Sequence, residues 1–268
     1  MGAFLKYMTR FKKIKLIRNK LNNNKPTIGT WIQMPNSSAA EILGDSGYDW
    51  IAVDLEHGSI GVEQLPDIFR AIELGGTLPI ARLARGHFKD CKQALDSGAG
   101  GVIIPMIKNA DKLEELIDCC CWPPAGRRGV GFSRANLFGK HFDAYVEEAQ
   151  SPLFIGQIEH ISAVENLKEI IHVEGLDAIL VGPYDLSSSM GITGQFNHKD
   201  FHNVMDQIIS ICTEHNFPCG SHILEPKSDI LKLHIKKGYR FIAFGTDAVF
   251  LYNSSINPLR QTPYDGEK

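Results

Sequence analysis

The chain has 268 residues, 43% of them hydrophobic and 22% charged, with a formal net charge of −3. That near-neutral balance offers no global attraction to nucleic acid or to an anionic membrane, and no apolar run approaches the roughly 18 residues of a transmembrane helix. The length admits one large soluble domain or two small ones and does not decide between them.

The first segment, 1–25, is locally basic: Lys6, Arg10, Lys12, Lys13, Lys15, Arg18, Lys20 and Lys25 interleave with Phe4, Met8, Phe11, Ile14, Ile17 and Leu21 at helical spacing. It reads as an amphipathic helix packed on its own domain rather than on a membrane surface. Lys6 stands where a myristoylation signal wants Ser or Thr, and the apolar core of a secretory signal is missing.

Short β-rich runs follow at 27–34, 50–54, 78–83, 101–106, 153–159, 178–182, 218–222 and 241–245, and helical patterns fill 39–46, 62–74, 89–97, 110–120, 163–172, 201–216 and 226–237. Seven βα units and an eighth strand are what an α/β TIM barrel, (β/α)8, requires. A doubly wound sheet usually has a Gly-rich first turn, whereas residues 33–38 here contain no glycine. The barrel is therefore assigned to 26–252, with a C-terminal tail at 253–268. The six cysteines include the run Cys119-Cys120-Cys121 and no CxxC pair. Adjacent helical cysteines point in different directions, so reduced thiols in a cytoplasmic protein are expected.

The stretch "VDLEHG", 53–58, places Asp54, Glu56 and His57 at the end of an otherwise apolar strand. An unpaired charge in an apolar site costs several kcal/mol, roughly, so the strand end must open onto something polar. In a barrel, the C-terminal strand ends form the active face. Arg82 ends strand three. Period-two alternation puts Ile155, Gln157 and Glu159 on one face of strand five, so Glu159 points across the mouth towards Asp185, in "LVGPYDLS" after strand six. Two carboxylates with positions left open for water and ligand suit a hard divalent cation. An ion pair, or a helix N-cap for Asp185, is the plainer alternative. A carboxylate near an imidazole fixes its tautomer and raises its basicity, which links Asp54 with His57.

Three further features compete. The connection 122–151 is long enough to be functional, and Gly126, Gly129 and Gly131 could bring backbone close to a ligand. His198 and His202 have i,i+4 spacing but lack a zincin's adjacent glutamate. Lys108 is the one lysine placed for Schiff-base chemistry, yet it sits at a polar helix start.

Together "GTWIQMPNSSAAEILGDSGYDWIAVDLEHG", "PIARLAR", "LDSGAGGVIIPMIKNADK", "PPAGRRGVG", "GQIEH" and "VGPYDLSSSMG" resemble the HpcH/HpaI aldolases, over about residues 12 to 251 and in the family's order. The resemblance implies a class II, metal-dependent pyruvate aldolase. It would reversibly cleave a 4-hydroxy-2-oxo acid to pyruvate, or a related 2-oxo acid, and an aldehyde. By the same likeness Glu159 and Asp185 match the ligands of a divalent cation (Mg²⁺, Mn²⁺ or Co²⁺), His57 and Asp54 a catalytic dyad, and Arg82 the catalytic arginine. Gln157 matches a residue beside the metal, and Gly182, Pro183 and Tyr184 the turn whose amides meet the substrate carboxylate. Asp96 matches an aspartate reaching a neighbour's site in a homo-oligomer, commonly a hexamer. Tyr184 stands where well-studied members carry alanine, and His222 adds a polar group at the end of strand seven. The proton acceptor is either His57 or a water held by the cation. Two other readings remain: a citrate-lyase-β-like enzyme acting on a CoA thioester, for which Arg127, Arg128 and Arg134 would supply a phosphate groove, and a barrel that binds an acid without turning it over.

Overall fold

Eight parallel strands close into a barrel in the order β1-β2-β3-β4-β5-β6-β7-β8 in the computed structural model, which describes residues 9–258. The strands are β1 (Thr27–Ile32), β2 (Trp50–Asp54), β3 (Leu78–Arg82), β4 (Gly101–Ile104), β5 (Leu153–Ile158), β6 (Ala178–Val181), β7 (Cys219–Ile223) and β8 (Phe241–Thr246). Strand β1 stops at Ile32 because the amides of Gln33 and Met34 turn to the carboxylate of Asp247.

The outer layer comprises α1 (Arg10–Asn22), α2 (Ser37–Asp45), α3 (Leu65–Gly75), α4 (Phe88–Ser97), α5 (Ala110–Cys120), α6 (Phe142–Gln150), α7 (Ile161–Glu165), α8 (Leu167–Ile170), α9 (Pro183–Ser189), α10 (Lys199–Glu214), α11 (Ser228–Lys237) and α12 (Asp247–Ser254). The single helix anticipated at 62–74 divides into a 3-10 turn, Val62–Gln64, and α3. Pro66 has no N–H to donate and so belongs in a first helical turn. The pattern at 163–172 likewise divides at Asn166 into α7 and α8. Helix α6 inside the long β4–β5 connection, and α12 after β8, were not anticipated. Here Trp122, Tyr145 and Ala149 build a small core of their own.

Two apolar layers hold the barrel. Alternate residues, among them Ile51, Val53, Val102, Ile158, Ile179 and Ile242, face outward into the helices. The inward set, including Trp50, Ala52, Leu78, Ile80, Leu153 and Ile155, fills the interior. Helix α1 plugs the bottom by adding Ile14, Ile17 and Leu21 to this inner cluster, beneath the stacked rings of Trp50 and Phe241, 4.1 Å apart. Its basic face is tied to the barrel: Arg10 to Glu73 and Glu148, Arg18 to Asp177, and Lys20 to Asp49. The helix thus packs on its own domain; its expected portion at 1–8, and the tail beyond 258, lie outside the described residues.

Among the described residues no helix is long and apolar enough to cross a membrane. Cys91 on α4 and Cys120 on α5 are joined in a disulfide, which overturns the expectation of reduced thiols for this pair. Cys119, Cys121, Cys212 and Cys219 are free.

Candidate active site

The inward-facing alternation that is apolar at the barrel's bottom turns polar at its top. Strand β2 carries Trp50, Ala52, then Asp54; β3 carries Leu78, Ile80, then Arg82; β5 carries Leu153, Ile155, Gln157, and just beyond it Glu159. Interstrand register decides which of these meet. Asp54 is paired directly with Arg82, and the pairing of Ile158 with Val181 carries Glu159 alongside Gly182.

Asp54, fully buried, is the organising group. Its carboxylate accepts from Arg82 Nε at 2.9 Å and Nη2 at 2.6 Å, from Gln33 Nε2 at 3.0 Å, and from the amides of Glu56 and His57 at 3.0 and 3.1 Å. Burial pushes this carboxyl upward, but the bonds and charge of Arg82, with Gln33 and the His57 amide, hold it below the usual carboxylate range. Asp54 therefore meets the backbone of His57 and not its imidazole, a correction to the dyad inferred from spacing. The His57 side chain is exposed and lines a cavity of about 490 Å³ with Arg82, Gln157, Gly182, Pro183, Tyr184 and Asp185. Arg82 also lies 3.2 Å from Glu56 and 4.5 Å over the ring of Trp31.

Glu159 is buried just past the end of β5. Oε1 accepts from the Met106 amide and Oε2 from Gln157 Nε2, both at 2.6 Å. Met106 presents its amide from the left-handed region, at φ 53°, a conformation that a non-glycine residue adopts at a cost of roughly 1–2 kcal/mol. Nothing in the local sequence announces that contact. Gly182 is required by space: a Cβ there would come within 2.6 Å of Glu159 Oε2. Burial above all, with the neighbouring Glu56 and Asp185 charges, pushes the Glu159 carboxyl up to about 7 against the Met106 amide. Glu56 is raised as well, by burial and by Asp54 and Asp185, against Arg82 and His57.

Glu56, Glu159 and Asp185 thus bring negative charge to the mouth, and Gln157 Oε1 is buried there without a hydrogen bond, whereas Glu56 Oε2 faces Arg82 Nη1 at 3.2 Å. An all-oxygen donor set with an unmet acceptor beside it fits a hard cation. No group of three or more His, Cys, Asp or Glu is assembled for a metal among the described residues, so such an ion would keep positions open for water and ligand. Asp185 is exposed in the first turn of α9 and makes no capping bond.

The remaining candidates lie elsewhere. Asp96, on α4, bonds to Arg128 at 2.9 Å and does not line this cavity. Lys108 is exposed and also outside it. His222 does line it, stacked on Trp31 with centroids 5.3 Å apart. Gln33, which sequence reasoning passed over, reaches the site because it follows inward-facing Trp31 by two residues.

Comparison with known proteins agrees with this geometry. A hydroxypyruvate/pyruvate aldolase of Roseobacter denitrificans is 33% identical over 245 residues, covering 90% of this chain and 94% of that protein. A 4-hydroxy-2-oxo-heptane-1,7-dioate aldolase of Escherichia coli is 33% identical over 234 residues, covering 86% and 88%. The crystal structure of an HpcH/HpaI aldolase/citrate lyase family protein from Burkholderia cenocepacia superposes with a TM-score of 0.85 at 27% identity, covering 92% of this chain and 98% of that one. The family model for HpcH/HpaI aldolase/citrate lyase matches residues 27–254, which span every barrel strand. This chain belongs to the HpcH/HpaI aldolase/citrate lyase family.

Proposed function

We propose that this protein is an aldolase that reversibly cleaves a 4-hydroxy-2-oxo acid into pyruvate, or a related 2-oxo acid, and an aldehyde, using a divalent cation held by Glu159 and Asp185. The observation that carries the reading is the meeting, at one barrel mouth, of a crowded carboxylate cluster with a guanidinium fixed by Asp54. The relatives named as aldolases of 2-oxo acids support it.

In the cleavage direction the C3–C4 bond breaks, its electron pair passes to the 2-oxo acid half as an enolate, and the C4 hydroxyl gives up its proton as the aldehyde leaves. A bound Mg²⁺, Mn²⁺ or Co²⁺ would supply fixed positive charge beside the developing enolate oxygen. Arg82, unable to turn while Asp54 grips two of its nitrogens, supplies a second positive charge that is already oriented. Gln157 holds Glu159 in place through Oε2. Of the Gly182–Tyr184 turn, the Tyr184 amide takes the substrate carboxylate, because Pro183 has no N–H and the Gly182 N–H is bonded to the Ile158 carbonyl. His57, with its imidazole free in the cavity, takes the C4 hydroxyl proton. Asp96 would act only across an interface, in a homo-oligomer.

The CoA-thioester reading loses its groove. Arg128 and Arg134 are held in ion pairs with Asp96 and Glu73, which leaves Arg127, paired with Asp118 at the surface, to face a phosphate alone. A barrel that merely binds acids has no need of a free imidazole beside a fixed guanidinium.

The test is a screen of 4-hydroxy-2-oxo acids for pyruvate release, with Mg²⁺, Mn²⁺ or Co²⁺ and then with excess chelator, alongside borohydride treatment in the presence of pyruvate. Activity is expected only with the cation, with no covalent adduct, and Lys108→Ala is expected to retain it. Full activity in chelator, or a trapped adduct on Lys108, would overturn the proposal.

A further inference from the structure

A second cavity, of about 430 Å³, adjoins the catalytic one and is used by none of the chemistry above. It lies against β7, α10 and α11. Phe196, Phe201, Met205, Ile209, Ile230 and Tyr239 make its walls largely apolar. None of the residues of α11 is fully buried, so that helix leaves space beside the barrel where neighbouring helices close it. The polar pair inside, Ser221 Oγ and His234 Nδ1 at 2.8 Å, satisfies itself.

The two cavities have a common partition: Val181, Pro183, Tyr184, His222 and Leu224 line both. Tyr184 stands on that partition half exposed, at 51%, with its ring edge-on to Phe196 at 4.9 Å. His222 Nε2 is buried there without a hydrogen-bond partner, while the ring is bonded to the backbone of Gly245. Buried polar atoms are rarely left unmatched, so the unpaired ring nitrogen on the partition is placed to meet the oxygen of the aldehyde carbon, while whatever that carbon carries passes on into the apolar space.

We propose that the second cavity receives the substituent of the aldehyde half, so that the protein's aldehydes carry an apolar alkyl or aryl tail. The inference rests on the aldolase reading. There the 2-oxo acid half, which is polar, belongs with Arg82 and the carboxylates, and the partition is the lining through which the remainder can extend into apolar space. A tail ending in a second carboxylate is disfavoured, because Asp206 and Glu225 outnumber Lys237 in the cavity lining. Each methylene moved from water into such a site improves binding about three- to fourfold.

The experiment uses the full chain with its divalent cation and pyruvate, and compares kcat/KM for addition to acetaldehyde, butanal, hexanal, phenylacetaldehyde and succinic semialdehyde. A rise of at least about tenfold from acetaldehyde to hexanal is expected, with succinic semialdehyde below butanal. Met205→Trp, or Ile209→Phe should the first variant fold poorly, fills the cavity far from the reacting atoms. Either is expected to abolish the gain for hexanal while leaving acetaldehyde within about twofold, a split that general destabilisation would not produce. If acetaldehyde reacts but chain length has no effect, or the filled variants keep the gain, the tail site is overturned and the aldolase reading stands. If no aldehyde reacts with any cation, both fall.

Discussion

Replacing Asp54 by alanine removes five hydrogen bonds at once, two of them to a guanidinium whose side chain is only 10% exposed. Deleting one partner of a buried ion pair typically costs about 3–5 kcal/mol, because the other charge is left without compensation. Glu56, 3.2 Å from Arg82, and the face of Trp31 take up part of that charge, so the lower end, about 3 kcal/mol, applies. For a chain of this size it corresponds to a fall in Tm of roughly 6–12 °C. Urea unfolding followed by tryptophan fluorescence measures the loss, and the Asp54→Ala/Arg82→Met double variant is expected to recover a large part of it, since no orphaned charge remains. The pH dependence has a fixed sign. The folded-state pKa of Asp54 lies below its ordinary 3.8, so its stabilisation is fully present above that value and is lost as pH falls through the folded-state pKa. The gap between wild type and variant should therefore narrow below about pH 4. A loss under about 1 kcal/mol at neutral pH, or a double variant no better than the single, would refute the assignment of Asp54 as the anchor of Arg82.

His57→Ala should leave stability within about 0.5 kcal/mol, as for an exposed side chain, while lowering kcat by about 10²–10⁴-fold; retained turnover would place the base elsewhere. Glu159, raised from 4.5 to about 7, binds more protons folded than unfolded across that interval. Stability of the cation-free protein should accordingly fall as pH rises from 4.5 to about 7. Thermal melts of Glu159→Gln in chelator should be flatter there, and an unchanged slope would count against the raised carboxyl. Gly182→Ala drives a methyl against Glu159 Oε2, at 2.6 Å without relaxation, and should weaken Mn²⁺ binding measured by calorimetry; unaltered affinity would contradict the close approach.

Much of the site was legible because it follows from period-two alternation along single strands. Trp50-Ile51-Ala52-Val53-Asp54 is buried throughout, so nothing competes with a strand, and its alternation puts Asp54 inward as soon as Trp50 is. Helix α5 spans the residues the pattern suggested, 110–120, because Asn109 caps its first turn through the amide of Lys112. Glu159 and Gln157 reached the mouth on the same logic, and Arg82 by ending strand three. The partner of Asp54 was misread because a short sequence interval favoured His57, whereas Arg82 is 28 residues away and meets it only through the register of β2 on β3.

Sequence by itself determined the barrel and the polar ends of its strands, since strand and helix periods are set by local sterics and by which side chains avoid water, and its motifs carried the resemblance to the family. Tertiary structure alone decided who meets whom: Asp54 with Arg82, the Met106 amide with Glu159, Cys91 with Cys120, and the two cavities that share Tyr184 and His222. Those meetings depend on how eight strands register when the sheet closes and on how far each helix stands from it. No single segment encodes that closure, because it is the joint result of packing all of them at once.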